Sequence, residues 1–237
     1  MRTAMASAYV ITAPEIPTLP VEGTDARFPV HRIYCVGRNF ADHAIEMGHD
    51  PSREPPFFFQ KNPDNLVLAS GAGATIPYPA RSSDVHYEIE MVVALKAGGE
   101  NIPLDQALDC VYGYGVGIDL TRRDLQGEAK KLGRPWEVGK AFEQSAPASA
   151  LVPAETIGHP AQGRVWLSVN GAVKQDGDLN QMIWKVPEMI SELSTLFRLQ
   201  PGDLIFAGTP AGVGPLKSGD VLEGGVDGVA TLKVTIG

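Results

Sequence analysis

The sequence predicts an α+β chain, mixed and mostly β in architecture with a few peripheral helices, on three observations. Strand-length apolar segments outnumber helical ones. They do not alternate regularly with helices, as a doubly wound sheet or an eightfold α/β barrel would require. The 237 residues include 26 glycines and 19 prolines, a surplus over the roughly 7% and 5% of average usage that signals many turns and short strands. With 43% apolar residues, the chain can build a core and is too apolar for disorder. It holds no run of about 18 apolar residues, so no membrane partner is expected. A formal net charge of −8 argues against a nucleic-acid partner, whose phosphates need clustered Lys and Arg.

In chain order, residues 1–30 read as an N-terminal arm. Tyr9–Ile11 offers a terminal strand, and 12–30, rich in Pro, Glu and Thr, is a linker or an edge-hugging arm. Met1–Ala13 makes a poor signal peptide, and Cys35 and Cys110 lie in apolar stretches as buried thiols. Both features point to the cytoplasm. From 31 to 237 no repeat and no composition shift divides the chain, so a single domain is expected.

Ile33–Val36 is a short strand. Asn39–Met47 reads as a helix with Asn39 as N-cap and Asp42 three residues later, and Gly48–Pro56 as a loop. Phe57–Phe59 resumes a strand, and Pro63–Pro79 is turn-rich. Glu88–Lys96 is the clearest strand, followed by a short helix at Pro103–Asp109. Tyr112–Ile118 alternates Gly with larger residues, which suits a strand closely approached by other backbone. Thr121–Lys131 is a helix with Thr121 and Asp124 as a capping box. Asn170-Gly171 joins Val165–Val169 to Ala172–Lys174 as a two-residue hairpin. Pro187–Leu199 is an amphipathic helix with Met189, Ile190, Leu193, Leu196 and Phe197 on one stripe, and Pro201-Gly202-Asp203 stops it. Leu204–Ala207 and Val229–Ile236 are the last strands.

The carboxylates carry the chemistry. Glu88 and Glu90 are two apart on a strand and share a face with Val92 and Ala94, so they lie where the strand enters the core. Two like charges there are costly unless a cation lies between them; otherwise the strand start faces solvent. Asp119 ends an apolar strand just before a helix, as a metal ligand or as a turn aspartate. Three carboxylates without a Cys or His cluster suit a hard divalent cation, Mg²⁺ or Mn²⁺.

Other residues could serve that site. Arg123 and Gln126, three apart on one helix face, suit a substrate carboxylate or a solvated face, the reading given to Arg122, Glu128, Lys130 and Lys131. His43 and Glu46, also three apart, form either a general-base dyad or a surface pair. Gly37 and Gly48 would let their helix move as a lid. Lys61 and Lys140, in apolar company, either snorkel or serve an anion. The loop Gly208–Pro215, with Thr209, either presents N–H groups to an anion or is a plain turn.

The ordered set Val36-Gly37-Arg38-Asn39-Phe40, Ala41-Asp42-His43, Glu88-Ile89-Glu90, Asp119 to Gln126, Gly139-Lys140, Gly208-Thr209-Pro210 and Gly212-Val213-Gly214-Pro215 resembles the fumarylacetoacetate hydrolase family. The resemblance runs from about Arg32 to the C-terminus. It implies the family's mixed β-roll, a divalent metal on Glu88, Glu90 and Asp119, and a homodimer. It also implies hydrolysis of a C–C bond in an acylpyruvate, a small dicarboxylic oxo acid. The segment Phe28 to Asn62, with Glu54-Pro55-Pro56-Phe57-Phe58-Phe59, looks most like the members that act on fumarylpyruvate, so the resemblance implies that substrate, cleaved to fumarate and pyruvate. In that reaction His43 is the base that Glu46 orients and Lys140 stabilises the departing enolate. Arg38, Lys61, Arg123, Gln126 and Thr209 bind substrate. Longer family members use a further upstream aspartate ligand, which has no counterpart here. The rivals are an oxaloacetate or diketo-acid decarboxylase or isomerase on the same scaffold, and a non-catalytic metal or small-acid binder.

Overall fold

The strand-length runs pair into two principal sheets in the computed structural model, which describes residues 9–41, 46 and 54–237. The larger sheet has eight strands. Along its path they run Phe57–Lys61, Arg32–Gly37, Asp203–Phe206, Ile89–Leu95, Val111–Ile118, Ala146–Ala148 and Leu66–Leu68, with Val152–Pro153 also pairing to Val111–Ile118. Arg32–Gly37 is parallel to Asp203–Phe206, and Ala146–Ala148 to Leu66–Leu68; the other neighbours are antiparallel. The second sheet runs Ala172–Asp178, Arg164–Val169, Val221–Val226, Ala230–Ile236 and Ala74–Ile76. A small sheet joins Val85–Tyr87 to Thr121–Arg122 and Gly214–Pro215. Helices are few, the longer ones being Arg123–Leu132 and Val186–Leu196. The mixed, mostly β class expected from the sequence is the class observed. Among the described residues no helix is long and apolar enough to cross a membrane.

Strand Ile89–Leu95 is buried along its whole length because it separates two apolar layers. Ile89, Met91, Val93 and Leu95 face one core, shared with Val165, Leu167, Leu222 and Val234 of the second sheet. Val92 and Ala94 face another, shared with Leu204 and Phe206. This is the twofold alternation read from the sequence, and it assigns Glu90 to the second layer. A hairpin of Thr18–Pro20 and Arg27–Pro29 adds Leu19 and Phe28 to that layer, so the N-terminal segment packs on the sheet it borders.

Two local signals hold. Asn170 and Gly171 both have positive φ, 51° and 78°, in the hairpin turn between Arg164–Val169 and Ala172–Asp178, as the mirror-image turn types require. In Val111–Ile118, a Cβ on Gly113 would come within 2.3 Å of the Val152 carbonyl oxygen, and one on Gly117 within 2.5 Å of the Phe206 ring.

Three expectations change. Thr121 and Arg122 pair with His86 and Val85 as a strand, so the helix starts at Arg123 and there is no Thr121 cap. Asp124 instead accepts from the Ser82 hydroxyl and the Ser83 N–H. The amphipathic helix ends at Leu196, which is 60% exposed. Phe197 lies beyond it with its ring 5.3 Å from that of Tyr34, so the buried stripe is Met189, Ile190 and Leu193. Tyr9, Val10 and Ile11 form no strand; they are exposed, and pairing begins only at Thr18. The expected helix at 39–47 and loop at 48–56 fall largely outside the described residues.

Candidate functional site

Antiparallel register builds the acidic cluster. Ile89 pairs with Ile118 and Glu90 with Gly117, so Asp119, one residue past its strand, reaches Glu88 and donates its N–H to the Glu88 carbonyl at 2.8 Å. Glu88, Glu90 and Asp119 each offer a carboxylate oxygen, and these oxygens lie within 4.8 Å of one another. Their exposures are 6%, 2% and 0%, so the strand start is not a solvent-facing end.

Buried charges must be paired, and three cations meet this cluster. Lys140 Nζ donates to Asp119 Oδ2 at 2.5 Å, to Thr121 Oγ1 at 2.7 Å and to Glu88 Oε2 at 3.1 Å. Lys61 Nζ lies 2.8 Å from Asp119 Oδ1, an ion pair without hydrogen-bond geometry. It donates to the Leu120 carbonyl at 3.1 Å and to the Lys140 carbonyl. Arg123 donates to Glu88 Oε1 at 2.5 Å and to Gln126 Oε1 at 2.8 Å. Both lysines therefore serve carboxylates rather than snorkel. Gly139 lets the Lys140 turn sit on the helix, since a Cβ there would meet Gln126 at 3.0 Å.

The loop after Asp203–Phe206 closes the far side. The Gly208 N–H donates to Glu90 Oε2 at 2.7 Å. Glycine is needed there, with φ at +93° and the Asn39 Cβ 2.6 Å from where a side chain would begin. Thr209 Oγ1 accepts from Gln175 Nε2 at 2.8 Å. The Gly212 N–H donates to both oxygens of the Glu46 carboxylate at 3.1 Å. His43 lies outside the described residues. Gly37, expected to free a lid, sits within a strand, and the Phe57 ring lies 2.0 Å from where its Cβ would be. Close approach, not hinge freedom, demands that glycine.

Electrostatics matches the geometry. Burial, then the charges of Asp119 and Glu88, push the Glu90 carboxyl well above the usual carboxylate range, against the pull of the Gly208 N–H and Lys140. Burial would lower the Lys140 ammonium, but Asp119 and Glu88 outweigh it and hold the pKa above its ordinary value. Burial, then Asp119 and Glu90, raise the Cys35 thiol. Cys35 and Cys110 are both free and buried. The donor set fits a hard divalent cation: three convergent carboxylates, each with about four acceptor sites, keep capacity beyond their lysine and arginine partners.

A pocket of about 30 Å³ reaches Glu88. Arg38, Arg123, Gln126 and Lys140, four of the residues assigned to the site from the sequence, line it. Phe57, Phe59, Lys130 and Trp136 also line it, and the sequence reading missed them. Lys130, assigned to a solvated face, stands at the pocket because it is seven residues from Arg123 and hence on the same stripe. Phe57 and Phe59 share the strand face of Lys61, again a twofold signal. Gln175 belongs to the second sheet and has no local signal at all.

Residues 32–237 match the family described as fumarylacetoacetate hydrolase, C-terminal. The chain is 45% identical over 188 residues to a fumarylpyruvate hydrolase of a Ralstonia species, covering 79% of this chain and 96% of that protein. It is 42% identical over 204 residues to a mitochondrial oxaloacetate tautomerase of Mus musculus, covering 86% and 90%. The crystal structure of fumarylpyruvate hydrolase from Pseudomonas aeruginosa in complex with Mn²⁺ and pyruvate matches with a TM-score of 0.93 and 50% identity, over 95% of this chain and 98% of that one.

Proposed function

The chain belongs to the fumarylacetoacetate hydrolase family, and from that membership we propose that it hydrolyses an acylpyruvate, with fumarylpyruvate split to fumarate and pyruvate. The observation that carries this reading is the buried Glu88, Glu90 and Asp119 triad, reached by a cation-lined pocket. The Pseudomonas aeruginosa relative, in complex with Mn²⁺ and pyruvate, supports it. Held by Glu88, Glu90 and Asp119, a Mg²⁺ or Mn²⁺ ion would supply Lewis-acid polarisation of the substrate's 2-oxo acid oxygens.

The chain's own residues take the remaining roles. His43, oriented by Glu46, accepts a proton from a water, which attacks the distal carbonyl carbon. The C–C bond then breaks, its electrons pass to the pyruvate half, and Lys140 supplies positive charge where they collect. Arg38, Arg123, Gln126 and Thr209 hold carboxylate or carbonyl oxygens. Lys61 is fully buried on Asp119 and two carbonyls, so its part is to position Asp119 and Lys140. The family resemblance also supports a cytoplasmic homodimer, which light scattering on the purified protein would test for its mass.

Ultraviolet monitoring of fumarylpyruvate with Mn²⁺ tests the reading. Consumption should stop with EDTA and drop in His43→Ala; a wild-type protein that leaves fumarylpyruvate intact with Mn²⁺ would refute it. Oxaloacetate tautomerisation or decarboxylation is the second reading, favoured by the 42% identity to the murine tautomerase. It shares the metal and needs no water activation. Faster turnover of oxaloacetate than of fumarylpyruvate, both sensitive to EDTA, would select it. Metal-dependent thermal stabilisation with no product from either would leave a binding protein.

A further inference from the structure

Two cations at the pocket have no ion-pair partner among the described residues. Among the described residues, neither the Arg38 nor the Lys130 side chain makes a hydrogen bond or an ion pair. Each rests on an aromatic face instead. The Arg38 guanidinium carbon is 5.1 Å from the Phe57 ring centroid, and Lys130 Nζ is 4.9 Å from that of Trp136. Phe57 and Trp136 pack edge to face, 5.4 Å apart with planes at 89°. One aromatic pair thus presents both cations to the pocket that reaches Glu88. Arg123 and Lys140, in contrast, are already ion-paired, to Glu88 and to Asp119 respectively. Burial, then Arg123, Arg38 and Lys140, lower the Lys130 ammonium from its ordinary value despite Glu88, a sign of local positive excess.

We propose that Arg38 and Lys130, seated on Phe57 and Trp136, form an anion subsite that reads the carboxylate at the acyl end of the substrate. The inference rests on the acylpyruvate reading above. With the 2-oxo acid end at the triad, the acyl end extends into the pocket. A carboxylate there meets two pre-positioned cations; a methyl group leaves them facing nothing. Stacking on rings fixes both side chains beforehand, so less freedom is lost on binding. The subsite therefore selects dicarboxylic acylpyruvates over those with a neutral acyl end.

The test compares kcat/KM for fumarylpyruvate and acetylpyruvate in wild type, Lys130→Met and Arg38→Gln, each with Mn²⁺. Loss of a charged hydrogen bond predicts that the preference for fumarylpyruvate falls about 10- to 100-fold in either variant. An unchanged preference overturns the proposal. An equal loss on both substrates does so too, because it places the two residues at the shared end. If wild type turns over neither substrate, the hydrolase reading fails and binding decides the subsite. Fumarate is then titrated into protein saturated with Mn²⁺ and oxalate. Binding weakened about tenfold by Lys130→Met upholds the subsite; binding that is absent, or equal in the variant, overturns it.

Discussion

Lys140 Nζ lies 2.5 Å from Asp119 Oδ2, with both side chains almost wholly buried. Thr121 and Glu88 complete the coordination of the same ammonium. One fixed positive charge thus organises two of the three carboxylates that a divalent cation would share. Lys140 and the metal are partial substitutes in charge, though not in chemistry.

That substitution is measurable in Lys140→Met. Removing one partner of a buried ion pair costs about 3–5 kcal/mol, so the variant should lose that much stability in EDTA. Saturating Mn²⁺ should restore part of it, because the ion replaces the missing charge. Thermal or denaturant unfolding with and without metal checks this. Equal losses in both conditions would mean that Lys140 stabilises by packing alone.

Glu90 predicts a pH dependence with a definite sign. Its raised carboxyl holds a proton that the unfolded chain releases near the ordinary value of 4.5. The stability it contributes to the metal-free protein is full below that value and is lost as pH rises through the folded value. A divalent cation competes with the same proton. Apparent Mn²⁺ affinity should therefore climb across this interval, by up to about tenfold per pH unit for one proton released. Titration calorimetry in buffers of different ionisation enthalpy counts the proton, and Glu90→Gln should flatten the slope. Affinity independent of pH in the wild type would contradict the assignment.

Glu46→Gln separates orientation of the base from assembly of the site. The glutamine keeps an acceptor for the Gly212 N–H, so the tether to the loop survives. On the proposed mechanism it no longer provides a carboxylate for His43. Turnover should fall by about 10²-fold or more, while Mn²⁺ affinity changes by less than about threefold, as expected for a residue that is not a ligand. Unchanged turnover would remove Glu46 from the mechanism.

The triad was legible because two simple rules place it. Twofold parity puts Glu88 and Glu90 on one face, and an apolar run ending in Asp119 marks a strand end at the same sheet. The rest of the pocket is not local. Phe57, Lys130 and Trp136 come from three separate segments, and each alone resembles a strand, a wet helix face or a loop aromatic. Thr121 shows how a local signal loses. Its spacing to Asp124 fits a cap, but pairing with His86 and the call of the buried Lys140 ammonium take its backbone and its hydroxyl. Sheet order was equally hidden, since Arg32–Gly37 lies beside Asp203–Phe206 and nothing in either segment names the other.

Gln175 is the long-range element with the clearest consequence. It is fully buried on the second sheet. Its Oε1 accepts from the Ile89 N–H at 3.0 Å, between the two glutamates. Its Nε2 donates to Thr209 Oγ1 and to the Pro210 carbonyl, both at 2.8 Å. One amide thereby locks the strand that carries Glu90 to the loop that carries Thr209. Gln175→Leu keeps the volume but leaves the Ile89 N–H and the Pro210 carbonyl unpaired, at about 1–3 kcal/mol each. Urea unfolding should show a loss of about 2–6 kcal/mol. Thr209 also loses its fixed donor, so KM for fumarylpyruvate should rise by about tenfold, with Mn²⁺ affinity less affected. Gln175→Glu keeps the acceptor for Ile89 but, ionised, donates nothing to the Pro210 carbonyl and adds an unpaired buried charge, so it should lose at least as much stability as the leucine variant while also raising KM. Equal stability of wild type and Gln175→Leu would show that the lock is not made in solution.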